Sequence, residues 1–435
     1  MARVLVTGGA GFIGSHAADA LLAAGYNVRV LDNLTPQVHG PSRRAPDYLD
    51  REAELMIGDV TDPAAVDRAL RDVDMVLHLA STVGVGQSMY DIASYVRNNE
   101  VGTATLLQAL ARRPVARLVV ASSMSIYGEG LCEDKAHVPF CPDERSAQQL
   151  RAGRWELEDG GGERLTPLPT PETRQPSLSS VYALNKYAQE RLCLMVGKAY
   201  GISTAALRFF NVYGPRQALS NPYTGVLAIF AARLLNGRSP MVFEDGRQRR
   251  DFVHVRDVAV ACRLALGSPY DGEVFNIGSG QSRSIAAVAS DLAEVMGRPD
   301  LKPHITGKYR AGDIRHCFAA VGRAEQEIGF VAKQDFGAGL AEQRCPLDRR
   351  AAGPQLGERA EQRVRLRRPR FQRRHDSRKI VLAVAVRDSQ TFVGHRAQHA
   401  VRAELEEAAN ALRGKPTHPV GETHCLAHLA HPVLR

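Results

Sequence analysis

Short apolar runs recur through the first half of this 435-residue chain, and helical stretches separate them. Runs that are apolar throughout, rather than alternating with polar residues, are typical of strands buried on both faces of a parallel sheet. The pattern therefore predicts a doubly wound α/β fold with helices on both faces of the sheet. The predicted strands are Val4–Thr7, Val28–Leu31, Leu55–Ile57, Met75–Leu77, Leu118–Ser122 and Thr204–Leu207.

Two segments interrupt this alternation. Residues 129–176 are rich in Pro, Gly and charge, which predicts an inserted loop or lid. Beyond Gln343 arginine accumulates, lysine almost disappears and half of the 14 histidines are found. A helix is started at 336–342 and then cut off, so residues 344–435 are expected to be a disordered basic tail or the product of a shifted reading frame. Neither origin gives the tail a specific function.

The formal charge of +9 comes from that tail. Residues 344–435 contain 17 Arg and 2 Lys against 9 Asp and Glu, a net charge of +10, which leaves about −1 for the rest of the chain. The tail also lacks the interleaved aromatic residues on which single-stranded nucleic acids stack. We therefore expect no nucleic-acid partner.

The cellular location of the protein and the redox state of its cysteines are predicted from features that the chain lacks. It has no run of about 18 uncharged apolar residues that would span a bilayer, and its first residues enter a strand without a signal-peptide pattern. The seven cysteines form no CxxC pair, which favours free thiols in a reducing compartment. We expect a cytoplasmic protein with no membrane association.

A glycine-rich turn follows the first predicted strand and opens a helix. Gly8 permits the tight turn, Gly11 lets the backbone approach a pyrophosphate, and Gly14 lets the helix pack closely on the strand. Asp32 closes the second strand about 20 residues on, where a carboxylate accepts hydrogen bonds from the adenosine ribose and repels a 2′-phosphate. NAD is therefore favoured over NADP. Asp59, after the third strand, either meets the adenine or only forms a strand-end turn.

A second group of residues suits proton transfer. Tyr182 and Lys186 are four residues apart on a predicted helix and so share one face. A free phenol has a pKa near 10, but an adjacent ammonium and a positively charged nicotinamide both favour the phenolate. Tyr182 can then take a proton from a sugar hydroxyl. Ser123, at the end of a strand, would hydrogen-bond the same hydroxyl, and Asn99 lies on a preceding helix.

With these motifs in place, residues 3–343 resemble the extended short-chain dehydrogenase/reductase family, in particular its nucleotide-sugar epimerases and dehydratases. The resemblance implies a Rossmann sheet with a smaller C-terminal substrate-binding lobe, bound NAD and a homodimer. The matching motifs are the glycine-rich turn, Asp32, Asp59, His78-Leu79-Ala80, Asn99, Ser123, Tyr182 with Lys186, and Arg208–Pro215. The implied cofactor-binding residues are Gly8, Gly11, Phe12, Ile13, Gly14, Asp32, Asn33, Asp59, Val60, Leu79, Ala80, Asn99 and Lys186.

The resemblance also implies a domain division and a set of substrate-binding residues. Residues 1–210 would form the NAD-binding domain, with the 129–176 insertion inside it, and 211–343 mainly the substrate-binding lobe with some elements returning to the sheet. Besides Ser123, the nucleotide-diphosphate sugar would be held by Asn211, Arg250 and Arg310. A guanidinium fork suits a diphosphate because it donates two parallel hydrogen bonds.

The residues after Ser123 bear on the reaction. Dehydratases of this family have Asp-Glu there, whereas this chain has Met124-Ser125. We therefore expect epimerisation at C4 through a transient 4-keto sugar, acting on a dTDP-6-deoxyhexose such as dTDP-L-rhamnose or on UDP-glucose or UDP-galactose. A 4,6-dehydratase or a reductase remains an alternative. So does a non-catalytic NAD-binding regulator, although the intact catalytic residues argue against it.

A zinc site is not expected. A subgroup that this chain resembles carries cysteine pairs in the insertion, but only Cys132 and Cys141 are present here. Two cysteines do not make a four-coordinate zinc site.

Overall fold

A computed structural model describes residues 1–218, 225–310 and 312–342. Its largest element is a parallel sheet of seven strands, with helices on both faces. In spatial order the strands are Glu273–Ile277, Ser203–Phe209, Arg117–Ser123, Met75–His78, Arg3–Thr7, Asn27–Asp32 and Glu54–Ile57. The predicted α/β class is confirmed, and each of the six predicted strands is present within one or two residues of its expected bounds.

Side chains of the sheet alternate between two apolar cores. Val4 and Val6 pack with Leu21 beneath the first helix, whereas Leu5 packs with Leu106 on the opposite face. Because both faces are covered, the strands show no polar alternation. The helices on the first face are Phe12–Ala23, Val255–Gly267 and Gly322–Ile328, and those on the second are Pro63–Ala69, Gly102–Arg112 and Val181–Tyr200.

The seventh strand, Glu273–Ile277, was not predicted. It pairs with Ser203–Phe209 along its whole length. The apolar run is broken by Asn276, which is fully buried and accepts a hydrogen bond of 2.7 Å from the Tyr127 hydroxyl. A buried amide that is satisfied by a distant partner removes the pattern by which the strand would have been recognised.

The second lobe has its own apolar core and a smaller sheet. Phe230, Phe252, Leu292 and Leu340 are among the buried residues of this core. The helix that the sequence starts at 336–342 is present as Phe336–Glu342. The strands of the lobe are Asn211–Tyr213, Arg249–His254, Ser282–Ser284 and His316–Cys317, with Met241–Val242 and His304–Ile305 as a separate pair, and its other helices are Val226–Leu235 and Ile285–Val295.

The insertion is more ordered than the predicted loop. It contains a three-stranded antiparallel sheet in the order Pro139–Phe140, Cys132–Glu133 and Thr166–Pro167, and a helix at Ala147–Arg151. Its apolar core is small and consists of Cys132, Leu157 and Leu165. Strands of two residues are too short to show a period, so the sequence pattern could not reveal them.

Several short turns connect these elements. They are the helical turns Pro36–His39, Val85–Ser88 and Ile92–Tyr95, the π-helical turn Val96–Val101 and the 3₁₀ turn Met124–Tyr127. The five cysteines of the described ranges are free thiols. No helix in the part of the chain that the structure describes is long and apolar enough to cross a membrane. The predicted tail, 344–435, lies outside the described residues.

Candidate active site

The glycine-rich turn joins the first strand to the first helix at the carboxyl edge of the sheet. Gly8 has φ of +70°, and a Cβ there would lie 3.0 Å from the Cα of Ala80. A Cβ on Gly14 would lie 2.3 Å from the carbonyl oxygen of Gly8. Both positions therefore need glycine, one for its conformation and the close strand, the other for helix packing. The first helical residues, Phe12 and Ile13, have N–H groups that suit a pyrophosphate.

Asp32 is held at the end of the second strand by backbone amides. Its carboxylate accepts hydrogen bonds from the N–H of Ala10 at 3.0 Å and of Leu34 at 2.9 Å. His39 lies beside it, with Nε2 3.8 Å from a carboxylate oxygen. The protein itself thus holds the carboxylate of Asp32 in one orientation.

A cavity of about 310 Å³ lies beside the end of the strand that carries Asp32. Ile57 is 67% exposed and offers an apolar surface to a base. Asn33 donates a hydrogen bond of 2.9 Å to Asp59. Burial raises the pKa of Asp59, but hydrogen bonds from Asn33 and Thr61 outweigh it and bring that pKa below its usual value. Val60 is half-buried beside this pair. The cavity is lined by Asn33, Thr35, Arg43, Ile57, Gly58 and Asp59.

Leu79 and Ala80 run past the glycine-rich turn and are fixed by Thr7. The N–H of Leu79 donates to the Thr7 carbonyl at 3.1 Å, and that of Ala80 donates to the Thr7 hydroxyl at 3.2 Å. Asn99, which is expected to contact the cofactor, is also held by protein groups. Its side chain is fully buried. Oδ1 accepts a hydrogen bond from the N–H of Thr82 at 2.6 Å, and Nδ2 donates to the carbonyl of Thr82 at 3.0 Å. Asn99 therefore shapes the loop that follows this strand.

The structure brings Ser123 and Tyr182 together. The Ser123 hydroxyl lies close enough to the Tyr182 phenol to lower the pKa of that phenol, and it lies 2.9 Å from the hydroxyl of Ser125. Burial raises the pKa of the Tyr182 phenol, and the Ser123 hydroxyl offsets this rise in part. Ser180 caps the helix by accepting a hydrogen bond of 3.1 Å from the N–H of Ala183, which sets the position of Tyr182 two residues on.

Lys186 lies one turn further along this helix and is almost fully buried. Its ammonium donates a hydrogen bond of 2.8 Å to Oε1 of Gln189. Burial lowers the pKa of Lys186 to about 8. Gln189 was not predicted from the sequence, although its spacing of three residues from Lys186 on a helix places both side chains on one face.

A chain of buried hydrogen bonds continues from Gln189 to the first strand. Nε2 of Gln189 donates to the Thr103 hydroxyl at 2.8 Å, and that hydroxyl donates to the carbonyl of Asn99 at 2.6 Å. Because the hydroxyl has only one hydrogen, Nε2 of His78 must donate to it (2.9 Å), and Nδ1 of His78 must accept from Thr7 (2.7 Å). Burial, with the charge of Lys186, lowers the pKa of His78 to about 3. His78 is therefore a neutral bridge and not a base.

Asn211 and Arg250 lie on neighbouring strands of the second lobe, where Asn211 pairs with Phe252. The buried Oδ1 of Asn211 has no hydrogen-bond partner in the described ranges. An unsatisfied buried acceptor is costly unless a ligand supplies a donor. Arg310 is exposed on a loop, and its guanidinium carbon lies 4.2 Å from the centre of the Phe243 ring.

Arg250 is held by backbone carbonyls. Its Nη1 donates to the carbonyls of Arg249 (2.9 Å) and Arg315 (3.0 Å), and its Nη2 donates to the carbonyl of Ile314. These bonds use three of the five guanidinium hydrogens. Within the described part of the chain the other two have no protein acceptor, so they are available for a phosphate oxygen.

No group of three or more His, Cys, Asp or Glu residues suited to a metal ion occurs in residues 1–218, 225–310 and 312–342. Cys132 and Cys141 lie close together because Cys132 pairs with Phe140 in the insertion sheet.

Comparisons with known proteins agree with this geometry. The family model described as the NAD dependent epimerase/dehydratase family matches residues 4–151 and 160–278. The chain is 35% identical to a dTDP-L-rhamnose 4-epimerase of Burkholderia thailandensis over 346 residues, which cover 78% of this chain and 93% of that protein. It is 28% identical to a dTDP-glucose 4,6-dehydratase of an Actinoplanes species over 349 residues, covering 78% and 96%.

Solved structures match over a similar extent. The UDP-glucose 4-epimerase of Thermotoga maritima with UDP-glucose superposes with a TM-score of 0.64 at 30% identity, covering 79% of this chain and 97% of that one. The UDP-glucose 4-epimerase of Thermus thermophilus in complex with NAD gives a TM-score of 0.63 at 30% identity, covering 79% and 99%.

Proposed function

This chain belongs to the NAD dependent epimerase/dehydratase family, and we propose that within this family it is a nucleotide-sugar 4-epimerase. Its substrate would be a dTDP-6-deoxyhexose such as dTDP-L-rhamnose, or UDP-glucose or UDP-galactose. The observation that carries the choice of epimerisation is the environment of Ser123, which pairs with Tyr182 on one side and has no carboxylic acid at the two following positions.

Tyr182 would act as the base on the C4 hydroxyl. Its phenol lies beside the Ser123 hydroxyl, so both hydroxyls can contact the same sugar oxygen. The ammonium of Lys186, one helical turn away, favours the phenolate by its charge. Bound NAD would supply the reversible hydride transfer at C4. The residues Gly8, Gly14 and Asp32 fit such a dinucleotide because they provide the close approach and the ribose acceptor.

The two residues after Ser123 do not suit elimination. Met124 is buried in an apolar cluster with Tyr127 and Phe210. Ser125 turns back and hydrogen-bonds the Ser123 hydroxyl. Removing water across C5 and C6 needs a general acid at the C6 hydroxyl, and neither side chain supplies one. Return of the hydride to the other face of the ketone is then the chemistry that these residues favour.

The diphosphate and sugar would be held by the lobe formed mainly by residues 211–343. The free Oδ1 of Asn211 can accept from a sugar hydroxyl, and the remaining N–H groups of Arg250 can donate to a phosphate oxygen. Arg310, exposed on its loop, would close over the same diphosphate. The T. maritima relative is described with UDP-glucose, which supports this class of ligand.

We also propose a homodimer. The helices Gly102–Arg112 and Val181–Tyr200 pack side by side and, with the adjoining turn, expose Val101 (48%), Leu184 (49%) and Met195 (53%). An apolar surface of this kind on paired helices suits an interface between identical copies. Light scattering on the purified protein should give twice the monomer mass, whereas a monomer mass would contradict this assignment.

The reaction is tested by incubating the purified protein with dTDP-L-rhamnose, UDP-glucose and UDP-galactose in deuterated water. An epimerase returns the same hydride, so NMR should show the C4 epimer with no solvent deuterium at C4 or C5 and no consumption of external NADH. A 4-keto-6-deoxy product labelled at C5 would show a dehydratase instead. The Tyr182→Phe variant, which lacks the base, should give neither product.

A further inference from the structure

The 129–176 insertion packs against the segment that follows Arg310. The N–H of Gly130 donates to the carbonyl of His316 at 2.8 Å. Thr170 exchanges backbone hydrogen bonds with Phe318 and Ala320, at 2.8 and 3.0 Å. The insertion thus extends over a strand of the substrate lobe, although the sequence places it between the Ser123 and Tyr182 of the catalytic group.

This contact contains an unusual amount of buried charge. Arg315 is fully buried, and its guanidinium donates to Glu156 at 2.6 Å, to Glu244 at 2.9 Å and to Asp245 at 2.7 Å. Glu156 belongs to the insertion and also meets Nε2 of His316 at 2.9 Å. Burial raises the pKa of Glu156, but its bonds with His316 and Arg315 outweigh this and lower the pKa to about 2.

Two further insertion residues hold the backbone of this segment. Glu129 accepts the N–H groups of Arg315 at 2.7 Å and of His316 at 3.1 Å. Arg145 donates to the carbonyl of Asp313 at 2.7 Å and to the Glu244 carboxylate at 3.0 Å. The side chains of Glu129 and Arg145 are 4% and 2% exposed. Taking charges out of water is costly, so such a network is better suited to fixing one geometry than to adding stability.

The segment that this network of buried charges holds in turn fixes the side chain of Arg250. The two peptides whose N–H groups Glu129 holds, those of Arg315 and His316, also supply the carbonyls of Ile314 and Arg315 that accept from Arg250. Arg145 holds the preceding peptide through the carbonyl of Asp313. We propose that the insertion positions Arg250 for the substrate diphosphate, and that Glu129, Arg145 and Glu156 act as the positioning residues. This inference rests on the proposed function in so far as Arg250 contacts the diphosphate.

The test measures binding of dTDP and UDP to the NAD-loaded protein by calorimetry. In Arg145→Met and in Glu156→Gln, we expect the Kd of these nucleoside diphosphates to rise about tenfold, because small displacements of a binding group have large effects on complementarity. NAD content should equal that of the unmodified protein. With a nucleotide sugar, KM should rise while kcat stays within about twofold. Glu156→Asp should restore part of the affinity.

The matched control lies in the same insertion. Lys135 pairs with Glu163 at the surface, where the two side chains are 73% and 58% exposed. Lys135→Gln also removes one charge of an ion pair in the insertion, but this pair does not contact the 313–317 segment. The Kd of this variant for dTDP and UDP should therefore be unchanged. If Arg145→Met does not fold, Glu156→Gln, which keeps the side-chain shape, decides alone.

Arg250→Met separates the failure of this inference from that of the proposed function. If Arg250→Met loses nucleoside-diphosphate binding and the folded insertion variants bind as the unmodified protein does, the positioning role is refuted. A fall in kcat with KM unchanged in those variants would also refute it. If Arg250→Met itself binds dTDP and UDP normally, the substrate site of the proposed function is wrong.

Discussion

On the cofactor side of the site the loops are held largely by backbone amides and uncharged side chains, whereas on the substrate side they are held by buried ion pairs. Asp32 is oriented by the N–H groups of Ala10 and Leu34, and Thr7 fixes the loop at Ala80. On the substrate side, the single guanidinium of Arg315 donates hydrogen bonds to three carboxylates. The two halves therefore differ in the chemistry that keeps them in place.

They also differ in how far apart in the chain their partners lie. Asp32 is 22 residues from Ala10, and both belong to a repeating strand–turn–helix unit. Glu129 is 186 residues from Arg315, and neither residue belongs to a periodic motif. We therefore expect a substitution in the cofactor half to have local effects. A substitution in the substrate half should affect several residues through the shared network of ion pairs.

The largest expected effect is at the point where the two halves meet. Tyr182→Phe should lower kcat about 10²- to 10⁴-fold, since it removes the proposed base. Affinity for the nucleotide sugar should change little, because the phenol acts mainly in the transition state. Tyr200→Phe, an exposed tyrosine at the end of the same helix, is the control for steady-state kinetics. Near-normal turnover of Tyr182→Phe would show that another group is the base.

The second-largest effect is expected from a substitution confined to the cofactor half. Asp32→Ala should weaken NAD binding by about tenfold to hundredfold, because charge-assisted hydrogen bonds to the ribose are lost. Preference for NAD over NADP should fall, since the carboxylate no longer repels a 2′-phosphate. Chromatography of nucleotide extracted from the purified proteins measures both, and the Kd of dTDP should not change. If dTDP binding falls in parallel, the two halves are not independent.

The third expected effect is on pH dependence. Since the pKa of Lys186 is lowered to about 8, its charge is lost as the pH rises through that value, and kcat should fall above about pH 8. Gln189→Glu places a carboxylate beside the ammonium, which raises the pKa of Lys186 and should move this fall to higher pH. Gln189→Leu should move it lower. Identical pH profiles for the three proteins would show that Lys186 does not set the alkaline limb.

The smallest expected effect comes from outside both halves. Every element described here lies between Arg3 and Glu342, so a chain that ends at Gln343 should bind NAD and dTDP with unchanged affinity. Calorimetry on the shortened and full-length proteins provides the measurement, and thermal unfolding serves as the control for folding. Loss of NAD binding on truncation would show that residues 344–435 contribute to the cofactor half.

Features with a local signal in the sequence were the ones predicted correctly. The strands around Gly8 and Asp32 were predicted because their apolar runs and turn residues are local signals. The strand Glu273–Ile277 was not, since the buried Asn276 interrupts its apolar run. Asn99 was expected to bind the cofactor, and the structure adds a contact with the loop at Thr82 that the motif did not reveal. Whether a polar side chain faces a ligand or its own backbone is decided by contacts that a motif does not contain.

By itself, the sequence determined the parallel sheet, the dinucleotide-binding turn and the Tyr182–Lys186 pair, because each depends on residues within a few positions or one strand–helix unit of one another. Only the tertiary structure decided that buried hydrogen bonds connect Gln189, the partner of Lys186, to Thr103, His78 and Thr7. It also decided that the insertion contacts the segment at Arg315. Burial makes these polar contacts specific, since in a water-poor interior each donor and acceptor must find its partner. Those partners come from distant parts of the chain, and only folding brings them together.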